Sequence, residues 1–140
     1  MKLNDAARTL IGRGANATLV TLNPDGSPQV SLVWVQLQPG DHDDELVAAH
    51  LSDTYLKVRN VRRDGRVALT IVSHDPAAMM QPYLSVTGTA HIVDGGAPEV
   101  LRELAATLAP TADFPPKDAP AGFLTRIRID KVGGVGPWAG

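Results

Sequence analysis

The chain has 140 residues, enough for one compact domain and too few for two ordinary ones. It has no cysteine, which excludes thiolate metal sites, thiol nucleophiles and a disulfide-stapled scaffold. A net charge of −2, with 44% hydrophobic residues, gives no general attraction for nucleic acid or anionic lipid. Because no signal peptide or membrane-spanning run is recognisable, we expect a cytoplasmic protein without nucleic-acid or membrane partners.

The predicted elements alternate short strands with three helices. In chain order they are a helix at residues 3–11, strands at 17–22, 29–37 and 45–51, a helix at 54–63, strands at 66–73 and 83–93, a helix at 97–108 and a strand at 122–132. The segment NPDGSP at 23–28 suits a hairpin turn, and Gly88 marks a bend or bulge. We therefore expect one mainly β domain over residues 1–140, an antiparallel barrel with peripheral helices.

The helix at 54–63 opens a cluster of positive charge in a nearly neutral chain. Lys57 and four arginines fall within ten residues of one another. If the helix begins near Thr54, with Ser52 or Asp53 as its cap, its free amide groups and positive dipole end lie beside Ser52 and Lys57, a geometry suited to a phosphate. The alternative is a solvated helix face whose charges serve only solubility.

Four motifs, in the right order, resemble those of one superfamily. The pattern Lys57-x-x-Asn60-x-x-x-Asp64-Gly65-Arg66-Val67 resembles the K-x-x-N-x-x-x-x-P-R-V stretch of the pyridoxamine 5'-phosphate oxidase-like split-barrel superfamily, with Gly65 where proline is common. NPDGSPQVSLVWV at 23–35 and LSVTGTAHIV at 84–93 resemble its first hairpin and a later strand. GVGPW at 134–138 is similar to its flavin/deazaflavin oxidoreductase branch.

The resemblance implies a homodimeric split β-barrel with two clefts at the subunit interface, each holding a flavin or the deazaflavin coenzyme F420. It also implies a set of cofactor-binding residues. These are Gln29, Val30, Ser31, Leu32 and Val33 along the tricyclic ring, His50, Leu51 and Ser52 at the strand end that leads toward the phosphate, Lys57 with Val58 at the phosphate, Tyr83 from the partner subunit, and Trp138 as one wall of the cleft.

The same resemblance narrows the expected activity. Leu56 stands where the vitamin B6 enzyme has a second basic phosphate contact, and that enzyme's long C-terminal extension is absent, so we do not expect vitamin B6 phosphate oxidation. The Ala-, Gly-, Asp- and Arg-rich composition resembles that of high-GC actinobacterial proteins, among which the F420 branch is abundant. We therefore expect a reductase that transfers a hydride from reduced F420 to a small conjugated organic acceptor, with FMN as the alternative cofactor.

A protein that binds flavin, F420 or a tetrapyrrole without turnover is the other alternative, because no catalytic acid, base or nucleophile can be assigned. A proton could come from solvent or from a hydroxyl such as Tyr83 or Ser31. The four histidines lack metal-ligand spacing, and the acidic run at 41–45 is expected to be a solvated turn, so no metal is predicted. Trp34 either packs or stacks on a cofactor, and residues 75–82 form either a mobile lid or an ordinary apolar loop.

Overall fold

The computed structural model describes residues 1–74 and 80–138, so most of the predicted lid or loop at 75–82 lies outside the described residues. The elements in order are α1 (Asp5–Ile11), β1 (Ala15–Leu22), β2 (Pro28–Gln38), β3 (Glu45–His50), α2 (Leu56–Arg63), β4 (Arg66–Val72), β5 (Tyr83–Asp94), α3 (Ala97–Leu108) and β6 (Phe123–Val135). Every predicted element is present, with small shifts at its ends. Among the described helices, none is both long and apolar enough to cross a membrane.

The six strands close into one antiparallel barrel. Their order around the barrel is β1-β2-β3-β6-β5-β4, and consecutive strands pair antiparallel at every junction, including β1 with β4. The turn at residues 23–28 joins β1 to β2, with Gly26 at a positive φ of 86°. The predicted mainly β barrel with peripheral helices is confirmed.

The helices cover only part of the barrel. Ala7 and Ile11 of α1 are buried in the main core, and Val100 and Leu104 of α3 pack on the outside of the sheet against Val47. The outer face of β1, β2 and β4 is different, because it carries apolar side chains that the chain itself does not bury. These are Val30, which is 61% exposed, Leu32, which is 69% exposed, and Val72.

Gly88 lies at the predicted irregularity of β5. The pairing register between β5 and β6 shifts between Thr87 and Gly88. A Cβ atom at Gly88 would lie 2.3 Å from the carbonyl oxygen of Arg128, closer than van der Waals contact allows. Glycine is therefore required here by the close approach of the neighbouring strand, and the expectation of a bulge is confirmed.

Asp44 corrects the expectation of a fully solvated acidic turn at 41–45. Its side chain is completely buried and accepts hydrogen bonds from the backbone N–H of Leu3 at 2.8 Å and from Nη2 of Arg8 at 2.7 Å to Oδ2 and 2.8 Å to Oδ1. Burial of this carboxylate is possible because Arg8 supplies the opposite charge together with hydrogen bonds. The pair ties α1 to the turn between β2 and β3.

Replacing Asp44 by Asn should therefore destabilise the fold. The substitution keeps the side-chain size but leaves Arg8 without a counter-charge, and we expect a loss of about 2–4 kcal/mol in the free energy of unfolding at pH 7. Asp130→Asn is the matched control, because Asp130 is exposed and pairs with Arg128 at the surface. Urea denaturation measures both variants, and equal losses would contradict the structural role of Asp44.

Candidate functional site

A cleft of about 360 Å³ lies between the outer face of β2, the end of β3, the start of α2, α3 and the loop that follows α3. It is lined by Asn16, Leu32, Val33, Trp34, Ala49, His50, Leu51, Tyr55, Lys57, Leu101 and Phe114. A larger groove of about 800 Å³ runs between the end of α1, β2 and α3, but none of the predicted site residues lines it. A third groove, of about 460 Å³, shares Leu32 with the cleft but has none of the other predicted site residues in its lining. The cleft of about 360 Å³ is therefore the candidate site.

Five of the twelve residues predicted to bind a cofactor meet in this cleft. They are Leu32, Val33, His50, Leu51 and Lys57. The other seven do not line it within one chain: Gln29, Val30, Ser31, Ser52, Val58, Tyr83 and Trp138. The roles of all twelve in binding stay predictions.

The start of α2 differs from the expectation. The helix begins at Leu56, its N-cap residue is Tyr55, and no side chain caps it, so neither Ser52 nor Asp53 is the cap. The hydroxyl of Ser52 instead accepts the backbone N–H of Thr54 at 3.1 Å and lies 2.8 Å from the Thr54 hydroxyl. Because the Ser52 hydroxyl is hydrogen-bonded within this local turn, it does not cap the helix. Lys57 is the second residue of the helix.

Asn60 fixes α2 against the hairpin of β1 and β2. Its side-chain Nδ2 donates to Oγ1 of Thr21 and to Oδ1 of Asn23, both at 3.0 Å, and Asn60 is fully buried. The Thr21 hydroxyl in turn donates to Oε1 of Gln29 at 2.9 Å, so the side-chain oxygen of Gln29 is engaged within the fold. The asparagine of the Lys57-x-x-Asn60 pattern therefore has a structural reason, since it positions the helix turn that carries Lys57.

Lys57 lies at the polar end of the cleft. Its Nζ is 5.0 Å from the centre of the Tyr55 ring, within cation–π range. Burial lowers the pKa of the Lys57 ammonium. In residues 1–74 and 80–138, no carboxylate lies within 4.0 Å of Nζ. A partly desolvated cation without a carboxylate partner in these residues suits an anionic ligand group such as a phosphate.

His50 lies beside Lys57 and is only 4% exposed. Its Nε2 is 2.7 Å from Oγ1 of Thr125, and its ring meets the Tyr55 ring edge-on with 6.4 Å between centroids. Burial of the imidazole and, to a smaller extent, the positive charge of Lys57 lower the pKa of His50 to about 4. The imidazole is therefore neutral at pH 7. Over the described part of the chain, no group of three or more metal-ligating side chains is found.

The cleft lining also includes an aromatic pair, Trp34 and Phe114. The rings of Trp34 and Phe114 are 6.1 Å apart between centroids, at an interplanar angle of 86°. Trp34 thus lines the cleft while it also packs against Phe114. The sequence did not predict Asn16, Tyr55, Leu101 or Phe114 as site residues. Asn16 lies within β1 and Leu101 within α3, where nothing in the sequence distinguishes a cleft residue from its neighbours. Tyr55 is the N-cap residue of α2 and Phe114 lies in a loop; a lone aromatic in the proline-rich stretch 110–120 was the available signal for Phe114.

Tyr83 and Trp138 lie together at another place on the barrel. The indole Nε1 of Trp138 donates to the backbone oxygen of Tyr83 at 2.8 Å, and the Trp138 ring packs into the main core. Val58 is a fully buried residue of α2. Oγ of Ser31 is also buried, and it has no hydrogen-bond partner among the atoms that the structure describes. Any contact of Tyr83 or Trp138 with the Lys57 cleft would have to come from a second subunit.

Comparison with known proteins agrees with the barrel. The family model described as pyridoxamine 5'-phosphate oxidase matches residues 3–136. An F420 reductase structure is 25% identical, covers 90% of this chain and 94% of its own, and has a TM-score of 0.72. HupZ from Group A Streptococcus is 16% identical with a TM-score of 0.64, covering 99% of this chain and 98% of its own. No curated protein matches the sequence.

A heme storage protein, HutZ from Vibrio cholerae, has the same fold at 13% identity, with a TM-score of 0.59 and coverage of 97% of this chain and 96% of its own. The split-barrel superfamily expected from the sequence motifs is confirmed by the family match and the F420 reductase structure.

The neutral state of His50 predicts a specific loss of stability in acid. The pKa of His50 is lower in the folded than in the unfolded chain. The stability that depends on neutral His50 is therefore complete above about pH 6.5 and is lost as the pH falls toward 4. We expect wild type to lose on the order of 2–3 kcal/mol more than His50→Gln between pH 7 and 4.5 in urea denaturation. Parallel losses in the two proteins would contradict the assignment.

Proposed function

We propose, from the fact that this chain belongs to the pyridoxamine 5'-phosphate oxidase family, that the Lys57 cleft binds coenzyme F420 and that the protein reduces a small conjugated organic acceptor. The chain thus falls in a family of flavin- and deazaflavin-binding oxidoreductases. The observation that carries the proposal is the Lys57 ammonium, which has no carboxylate partner among the described residues and lies in a cleft with an aromatic end. The 25% identical F420 reductase favours F420, and FMN is the alternative cofactor.

The donor set of the cleft suits a phosphorylated ring cofactor. Lys57 provides the charge for a phosphate, and Tyr55 covers one side of the ammonium and so limits where an anion can approach. Leu32, Val33 and Leu101 add apolar residues to the lining of the cleft. When bound in its reduced form, F420 supplies the hydride for the reduction. The main task of the chain is then to hold the two reactants at a reacting distance.

The balancing proton is assigned to solvent. In one chain, Tyr83 lies with Trp138 and does not line the cleft. Ser31 points its hydroxyl into the interior, where Oγ is buried. Within one chain, therefore, neither of the two hydroxyls suggested by the sequence is placed to transfer a proton into the cleft. A hydride from the reduced cofactor plus a proton from water completes the two-electron reduction of the acceptor.

We also propose that two copies associate through the outer face of β1, β2 and β4. This face presents Val30 and Leu32, each more than 60% exposed, together with Val72. Large apolar side chains exposed on one face of a sheet favour a protein interface at that face. Leu32 belongs both to this face and to the cleft, so the second copy would border the site.

Titration of the protein with F420, followed by fluorescence, tests the function. Saturable binding at micromolar concentration supports the proposal, whereas binding of FMN alone would assign the alternative cofactor. Stopped-flow oxidation of the reduced cofactor by a panel of conjugated acceptors separates a reductase from a carrier, because a carrier leaves reoxidation at the background rate. Absence of binding to either cofactor would contradict the proposed function.

Lys57→Ala should weaken F420 binding roughly 10- to 100-fold, the effect of losing a charge-assisted hydrogen bond to phosphate. Arg59→Ala is the matched control, because it removes the same charge from an exposed position of the same helix outside the cleft. Fluorescence titration at fixed ionic strength gives both dissociation constants. Equal losses in the two variants would indicate general charge attraction and would move the phosphate site away from Lys57.

Val30→Asp should convert a dimer into a monomer, because it places a charge on the proposed apolar interface. Thr87→Asp adds the same charge to an exposed position on β5 and serves as the control. Light scattering coupled to size-exclusion chromatography gives the mass of each variant. A monomeric wild type, or an unchanged mass for Val30→Asp, would contradict the interface.

A further inference from the structure

Phe114 is an unusual feature of the cleft, because the chain leaves a large aromatic ring incompletely buried in an apolar recess. It lies in the loop between α3 and β6 and is 39% exposed. Its single aromatic contact in the described residues is with Trp34, which projects from the outer face of β2. The packing of these two rings on each other leaves Phe114 with apolar surface that a ligand could bury.

The angle between the rings of Trp34 and Phe114 determines which shape of ligand can contact both rings. At 86°, the rings of Trp34 and Phe114 stand almost perpendicular. A flat ring that stacks on the face of one of them meets the other edge-to-face, and both arrangements are favourable for aromatic groups. A saturated ring of the same size is thicker and lacks the aromatic quadrupole, so it gains neither interaction fully.

The polarity of the cleft lining also favours a flat ring beside Trp34 and Phe114. The lining that Trp34 and Phe114 share with Leu32, Ala49 and Leu101 is mostly apolar, and among the residues that line the cleft the positive charge belongs to Lys57. An uncharged, flat group is therefore favoured beside Trp34 and Phe114, and an anionic group beside Lys57.

We propose that Trp34 and Phe114 form a right-angled aromatic corner that binds a flat conjugated ring, and that Phe114 determines the preference for a flat ring over a saturated one. The inference rests on the proposed function and deepens it. The ring belongs either to the cofactor or to the acceptor, which share this chemistry. The competing explanation is that Phe114 only shields Trp34 from water, in which case its removal would not change the preference between ring shapes.

The test has two arms, each applied to wild type, Phe114→Ala, Phe114→Leu and Lys117→Ala. Leucine keeps apolar bulk without a flat ring, and Lys117 is an exposed residue of the same loop, so the two variants control for packing and for loop disturbance. Thermal melting verifies that each variant is folded. The first arm is titration of the apoprotein with F420.

The second arm is calorimetric titration of the protein loaded with oxidised F420, which prevents turnover. The ligands are 4-phenyl-3-buten-2-one and 4-cyclohexyl-3-buten-2-one, which present the same conjugated ketone with a flat or a saturated ring. Wild type should prefer the phenyl ligand by roughly fivefold. If the ring belongs to the acceptor, the preference should fall below twofold in Phe114→Ala and Phe114→Leu and persist in Lys117→Ala.

The outcomes separate the two sources of the ring. A loss of F420 affinity of fivefold or more in both Phe114 variants, with Lys117→Ala unchanged, assigns the corner to the cofactor; a loss of the phenyl preference alone assigns it to the acceptor. No change in either arm, or equal changes in Lys117→Ala, overturns the proposal. If wild type binds no F420, the second arm is run without it, and a phenyl preference that depends on Phe114 then retains the corner while the proposed function fails.

Discussion

The hydrogen bonds of Asn60 are the constraint on which the site depends. They join α2 to the first hairpin through Thr21 and Asn23, while Val58 on the same helix is buried in the protein. Because a buried carboxamide without partners would be costly, this arrangement specifies one position for the helix. Lys57, one turn earlier, is thereby held at the polar end of the cleft, although its own side chain makes no ion pair among the described residues.

The barrel itself does not determine what the cleft binds. The same fold is found in an F420 reductase and in a heme storage protein. Function must therefore be argued from the residues of the site. Here the cleft combines a partly desolvated ammonium, a neutral and already hydrogen-bonded His50, and an aromatic pair. This arrangement suits a ligand that has an anionic tail and a flat, uncharged ring.

Much of the fold could be predicted from the sequence, because strand alternation and turn residues act locally. The bounds of α3 were predicted without error. A glycine within a strand indicated the irregularity at Gly88, where the neighbouring strand makes a close contact. Burial of Asp44 could not be predicted, since its partner Arg8 lies 36 residues earlier in the chain. The start of α2 was misplaced because the turn at Ser52 competes with capping. Lys57 was found through a motif, whereas Phe114 was missed because its role depends on how a loop folds back onto β2.

We propose that the ammonium of Lys57 binds the phosphate of the cofactor. An NMR titration of the Lys57 side chain, with its signal assigned by comparison with Lys57→Arg, measures its pKa with and without saturating F420. A nearby phosphate stabilises the charged ammonium, so we expect a pKa below the ordinary lysine value in the free protein and a clear rise on binding. A pKa that does not move when F420 saturates the protein would contradict the claim.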